Sequence, residues 1–307
     1  MSFFPGPDPL AGDAPACDAI EHLIIPRTSD IGNLEVRRAL PTAQRRLVGP
    51  FIFFDRMGPA LLRAGEALDV RPHPHIGLST VTYLFDGEIK HRDSLGTEMV
   101  IEPGDLNLMT AGRGIVHSER SPENLRGKPQ SISGLQTWLA LPDRYEEIDP
   151  VFTHTEKRDL PSFNHDGMEG RVVIGTFEGM RSPVSVFSNT IYVDLRIEPG
   201  KSAPFAAQWE ERALYILEGE AIIAGDHFAD NQLLVFRAGD QITITAGPMG
   251  CHVMLFGGAA LGSARHIWWN FVSSSKERIE QAKEEWRTGR FDIVPGDSQE
   301  FIPLPER

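Results

Sequence analysis

Cysteine is nearly absent from this 307-residue chain: Cys17 and Cys251 are the two present. A disulfide framework is therefore not expected, and a reducing compartment fits. Long apolar runs are missing as well. No stretch approaches the ~20 residues that a membrane-spanning helix needs. Positive charge is in deficit, with 30 Lys and Arg against 43 Asp and Glu and a net charge of −13. Neither a nucleic-acid backbone nor an anionic membrane surface is expected as a partner. The opening Met1-Ser2-Phe3-Phe4-Pro5-Gly6-Pro7-Asp8-Pro9 has no basic stretch followed by an apolar one, so no secretory signal is expected. These absences together make a cytoplasmic location the expectation.

What is present is β-structure. Short apolar and β-branched runs are separated by turn residues. Glu35–Leu40, Phe51–Asp55, Leu78–Phe85, Leu106–Thr110, Leu135–Leu141, Arg171–Ile174 and Thr190–Leu195 each read as strands. Asp86-Gly87 and Glu102-Pro103-Gly104-Asp105 read as turns. The expected fold class is all-β, two sandwich or barrel (jelly-roll) domains with a C-terminal helix. Residues 1–19 read as a loose lead-in, 20–142 as an N-terminal domain and 143–169 as a polar connection. Residues 170–307 read as a C-terminal domain plus the helix. For that helix, Ser274 followed by Glu277 predicts a capping box. Ile279, Ala282 and Trp286 supply its apolar face, and Gly289 its stop.

The two domains repeat one pattern. Tyr83-Leu84-Phe85-Asp86-Gly87-Glu88 resembles Tyr215-Ile216-Leu217-Glu218-Gly219-Glu220. Gly104-Asp105 and Thr110-Ala111-Gly112 recur in the same order as Gly239-Asp240 and Thr245-Ala246-Gly247. Ordered matches at nearly one offset predict two copies of one β-fold.

The chemistry concentrates between Arg71 and Glu119. His73 and His75 are two residues apart, as are His117 and Glu119. On a strand, such pairs share a face. If the two strands pair, three imidazoles and a carboxylate converge as candidate metal ligands. The alternative is that His73 and His75 line an edge strand and Glu119 meets an arginine. The other histidines carry less. His22, His154, His165 and His227 have polar surroundings, His91 reads as a surface or supporting residue, His252 as a core residue, and His266 has no evident partner. In the second copy the four ligand positions become Phe205, Ala207, His252 and Met254, so that copy is expected to fold without metal.

Nitrogen and oxygen ligands without thiolate suit a divalent Fe, Mn, Ni, Cu or Zn ion and exclude a thiolate zinc centre. Three His and one Glu leave open positions on an octahedral ion. One carboxylate against a divalent ion leaves a positive charge, which favours an anionic oxygen of a substrate. Glu119 is the candidate catalytic base for the proton of that oxygen. Phe51, Phe53, Leu108 and Met109 are candidate walls of an apolar pocket for a flat aromatic molecule.

His73-Pro74-His75-Ile76-Gly77, Tyr83-Leu84-Phe85-Asp86-Gly87, Pro103-Gly104-Asp105 and Met109-Thr110-Ala111-Gly112-Arg113-Gly114-Ile115-Val116-His117-Ser118-Glu119 resemble the pirin family of the cupin superfamily. The likeness extends to Trp269-Asn270-Phe271-Val272-Ser273 and covers most of the chain. It implies a bicupin whose N-terminal copy holds one Fe ion through His73, His75, His117 and Glu119. A generic cupin carries a glutamate about five residues after its second histidine; Thr80 stands there, so Glu119 supplies the carboxylate. The resemblance also implies quercetin 2,3-dioxygenase activity, opening a flavonol-like aromatic substrate with O2 and releasing CO. The other role it implies is an iron-dependent regulatory protein that binds a protein partner.

Overall fold

The computed structural model describes residues 19–31 and 34–306. The lead-in expected over residues 1–19 lies, up to residue 18 and including Cys17, outside them. The chain divides into two compact units, and each is a cupin-type β-structure.

One unit comprises Arg27–Asp159 together with Leu261–Arg307. Its larger sheet has seven strands in the order Val151–Thr155, Leu106–Thr110, Leu78–Asp86, Gln130–Ala140, Phe51–Leu62, Leu34–Leu40, Arg27–Ile31. The smaller has four, in the order Asp69–His75, Ile115–Arg120, Ile89–Asp93, Glu98–Ile101. All the pairings within the two sheets are antiparallel. One apolar cluster, with Val36, Met57, Leu84, Ile101 and Ile132, draws on strands of both sheets. Removing these side chains from water drives the layering.

The other unit joins the chain up to Pro26 with Leu160–Ala260. Its main sheet runs Ile20–Ile24, Leu233–Phe236, Glu211–Ile223, Ile242–Gly258, Thr190–Ile197, Met168–Ile174, Ser162–His165. Its core holds Phe205, Leu214, Ile216, Val253 and Leu255.

The repeat has a physical signature in its turns. Gly87 and Gly219 occupy matching positions with φ of +81° and +78°. A Cβ would lie 2.2 Å from the Ser131 carbonyl oxygen in one copy and 2.2 Å from that of Gly250 in the other. Both turns therefore require glycine, for conformation and for space.

Three features differ from the sequence expectation. Residues 143–169 are not merely a connection: Val151–Thr155 is an edge strand paired with Leu106–Thr110, and Ser162–His165 pairs with Met168–Arg171. Both strands are largely solvated and lack an apolar alternation to announce them. The C-terminal segment belongs with the first copy, not the second. The Ile302 amide donates to the Pro72 carbonyl at 2.8 Å, and Arg120 binds Asp297 through two nitrogens at 2.6 and 2.8 Å. Finally, the helix Lys276–Arg287 is capped by Ser275, whose hydroxyl accepts from the Arg278 amide at 3.2 Å. Ser274 instead donates to Glu146, at 2.9 Å from its amide and 2.9 Å from its hydroxyl. Ile279 and Ala282 are buried as the spacing predicts, and Gly289 follows the helix at φ +68°.

Candidate metal centre

Strand Asp69–His75 places His73 and His75 on one face. Antiparallel pairing with Ile115–Arg120 sets His117 opposite His73 and Ile115 opposite His75. The three imidazoles converge. His75 Nε2 and His117 Nε2 are 3.0 Å apart, and one ligand nitrogen from each of the three rings lies within 4.8 Å of the others. All three side chains are buried. Among the described residues, this is the group of three or more His, Cys, Asp or Glu that could hold a metal ion.

Their outer nitrogens are addressed from behind. His73 Nδ1 lies 2.8 Å from the Arg71 carbonyl, which can only accept, so the proton sits on Nδ1 and the Nε2 lone pair is free. His117 Nδ1 lies 3.4 Å from His91 Nδ1. The Asn270 backbone favours a proton on His75, although the buried His75 Nδ1 lacks a fully formed hydrogen bond. Burial also holds the trio neutral. It drives His73 down to about 4, with His91 adding a smaller push, and takes His75 and His117 well below the usual histidine range. Neutral imidazoles that share one focus suit a cation at that focus.

Glu119 stands apart from this trio. The ladder slips between His117 and Glu119: His117 faces His73, but Glu119 faces Val70. The extra residue falls at Arg71-Pro72, where proline has no N–H for the ladder. The Glu119 carboxylate lies 3.5 Å from the Thr82 hydroxyl, which sits 2.8 Å from Gln136 Oε1. Burial pushes the Glu119 carboxyl upward, against the opposing pull of His91 and Thr82. No arginine among the described residues pairs with it, as the alternative reading required; the neighbouring Arg120 is occupied by Asp69, Asp297 and Glu300.

The aromatic surroundings were only partly visible in the sequence. Trp138 meets His75 edge-on with centroids 5.1 Å apart, and Phe53 stacks on Trp138 at 4.0 Å. Phe53 thus reaches the site through Trp138. Phe51 and Leu108 are core residues, and Met109 packs with Ala111, Ile115 and Phe152. Trp138, Gln136, Thr82 and Phe152 were missed. Gln136 and Trp138 are two apart on one strand, opposite Thr82 and Thr80, so strand parity was the available signal.

Among its described residues the second copy lacks this convergence. His252 Nε2 lies 2.6 Å from Asp194 Oδ1, and Phe205 and Met254 are fully buried. His252 is a core residue, as expected, but it is not the counterpart of His117: Ile242 stands opposite Phe205 as His117 stands opposite His73.

Family models for pirin and for the pirin C-terminal cupin domain match residues 33–139 and 192–292. The chain belongs to the pirin family. A pirin-like protein of Caulobacter vibrioides is 49% identical over 91% of this chain and 97% of its own length. Human pirin is 28% identical over 83% of this chain and 87% of its own. Among solved structures, a quercetin 2,3-dioxygenase from Acinetobacter baumannii has a TM-score of 0.85 at 34% identity, covering 93% of this chain and 96% of that one.

Proposed function

We propose that this pirin holds one divalent metal ion, Fe(II) ahead of Mn, Ni, Cu or Zn, and is a dioxygenase of the quercetin 2,3-dioxygenase type. His73, His75 and His117 would hold the ion through Nε2, with Glu119 as the carboxylate partner. The observation that carries this reading is the trio itself: buried, neutral, with two Nε2 atoms 3.0 Å apart. The likeness to the Acinetobacter enzyme supports the choice of a flavonol-like substrate and O2.

A bound ion would supply electrophilic stabilisation of an anionic substrate oxygen and a redox partner for O2. The chain supplies the rest. Glu119 has its proton affinity raised by burial, which suits it to accept the proton of a phenolic hydroxyl. The Thr82 hydroxyl, whose proton goes to Gln136 Oε1 at 2.8 Å, borders that carboxyl at 3.5 Å. Trp138 and Phe53 give an apolar wall that lowers the local dielectric and strengthens each charge interaction. In this reading the first copy is the metal domain and the second carries none. The protein works in the cytoplasm, without nucleic-acid or membrane partners; no helix among the described residues is long and apolar enough to cross a membrane.

Purified protein loaded anaerobically with Fe(II) should consume O2 and release CO when given quercetin. Glu119→Gln should lose that turnover. Stoichiometric metal without any turnover would contradict the enzyme reading. It would favour an iron-dependent regulatory protein that binds a protein partner, a second reading favoured by the near-complete burial of the three imidazoles.

A further inference from the structure

Two residues that no ligand pattern contains stand directly behind His117. His91 lies one strand away, on Ile89–Asp93, with its Nδ1 3.4 Å from His117 Nδ1. Its other nitrogen, Nε2, is 3.0 Å from Asp93 Oδ2. Asp93 is itself immobilised: Oδ1 accepts from the Leu95 and Thr97 amides at 2.9 and 3.0 Å, and the side chain is fully buried. Phe152 stacks on the His91 ring at 4.6 Å and 23°. Both the ring plane and the carboxylate are thus fixed.

The proton positions follow from the anchored end. With Oδ1 taken by two backbone donors, Asp93 presents Oδ2 as an acceptor, so His91 carries its proton on Nε2. Its Nδ1 is then an acceptor facing His117. His117 completes the chain by donating from Nδ1, which leaves the Nε2 lone pair directed at His75 Nε2 and the candidate metal position.

We propose that Asp93 and His91 are positioning residues that hold His117 in its Nδ1–H form, so that its Nε2 is available to a cation. This rests on the reading that the trio binds metal. The pattern is that of a ligating histidine oriented through its remote N–H, here through a second imidazole.

The test compares variants of nearly equal size. In Asp93→Asn the two backbone amides still claim the oxygen, so the amide NH2 faces His91 Nε2. That reverses the chain: His91 must donate from Nδ1, and His117 must carry its proton on Nε2. His91→Phe fills the volume without an acceptor, whereas His91→Asn retains an oxygen near the Nδ1 position. Affinity for Co(II) is read by competition with a chelating dye, and ligand geometry by the visible Co(II) spectrum, with folding checked by circular dichroism. Asp93→Asn and His91→Phe should each weaken Co(II) binding by about 10–100-fold and alter the spectrum. His91→Asn should recover most of the affinity. Folded Asp93→Asn and His91→Phe proteins that bind within twofold of the parent would overturn the proposal while leaving the metal reading intact. A parent that binds no Co(II), Fe(II) or Zn(II) would overturn both.

Discussion

The two cupin copies share turns, strands and glycines but differ in what their strand pairs enclose. In the first, His73, His75 and His117 meet at one buried focus. In the second, Phe205 stands at the position of His73 and its ladder partner is Ile242, while His252 lies elsewhere on that long strand, paired with Arg196 and Glu218. Phe205 fills the core, and His252 binds Asp194 at 2.6 Å. One scaffold therefore tolerates either an apolar filling or a cluster of polar rings. A buried imidazole without a partner is costly. The second copy meets that cost with a carboxylate. The first leaves lone pairs facing one another, an arrangement that gains most when a cation sits among them.

The comparison can be broken most readily at the ligands. His73→Ala combined with His75→Ala should abolish stoichiometric metal binding while the second copy stays folded; loss of all cooperative unfolding would mean that the copies are not energetically distinct. The glycines probe the shared scaffold. Gly87→Ala and Gly219→Ala force the same left-handed backbone on a residue with a Cβ, and each Cβ meets a carbonyl oxygen. Each should destabilise its protein by about 2 kcal/mol or more, by a similar amount, in chemical denaturation. Unequal effects would show that the turns are not equivalent.

His252→Ala tests the second copy directly. It leaves Asp194 without its short partner contact and should reduce stability by roughly 1–3 kcal/mol. Metal content should not change. A smaller effect concerns pH. Burial depresses His73 to about 4 and lowers His75 and His117, so the unfolded chain takes up protons near pH 6.5 that the folded chain refuses. The metal-free protein should therefore lose thermal stability as pH falls from about 6.5 towards 4. Glu119, whose folded-state affinity for a proton is raised, acts in the opposite sense. Three groups oppose one, and the slope should become shallower in His73→Gln. A melting temperature independent of pH across that window would contradict the buried, neutral trio.

Much of this was legible in the sequence because it was local. Strands such as Leu78–Asp86 announce themselves through β-branched and aromatic residues between turns. The ligand pairs announce themselves through spacing of two. What stayed hidden depends on partners distant in the chain. Val151–Thr155 is an edge strand defined by its pairing with Leu106–Thr110, since its own residues are too solvated to show a pattern. The segment after Leu261 packs on the first copy because Pro72, Arg113 and Arg120 offer it specific bonds. His91-Arg92-Asp93 reads as a polar surface stretch until its strand is laid beside His117. The displacement of Glu119 follows from the slip at Pro72, which spacing alone could not reveal.

Metal stoichiometry after anaerobic loading with Fe(II) separates the two copies most sharply. One ion per chain is expected in the unsubstituted protein and in His252→Ala, and none in the His73→Ala, His75→Ala double variant. Two ions per chain, or loss of the ion through His252→Ala alone, would contradict that expectation.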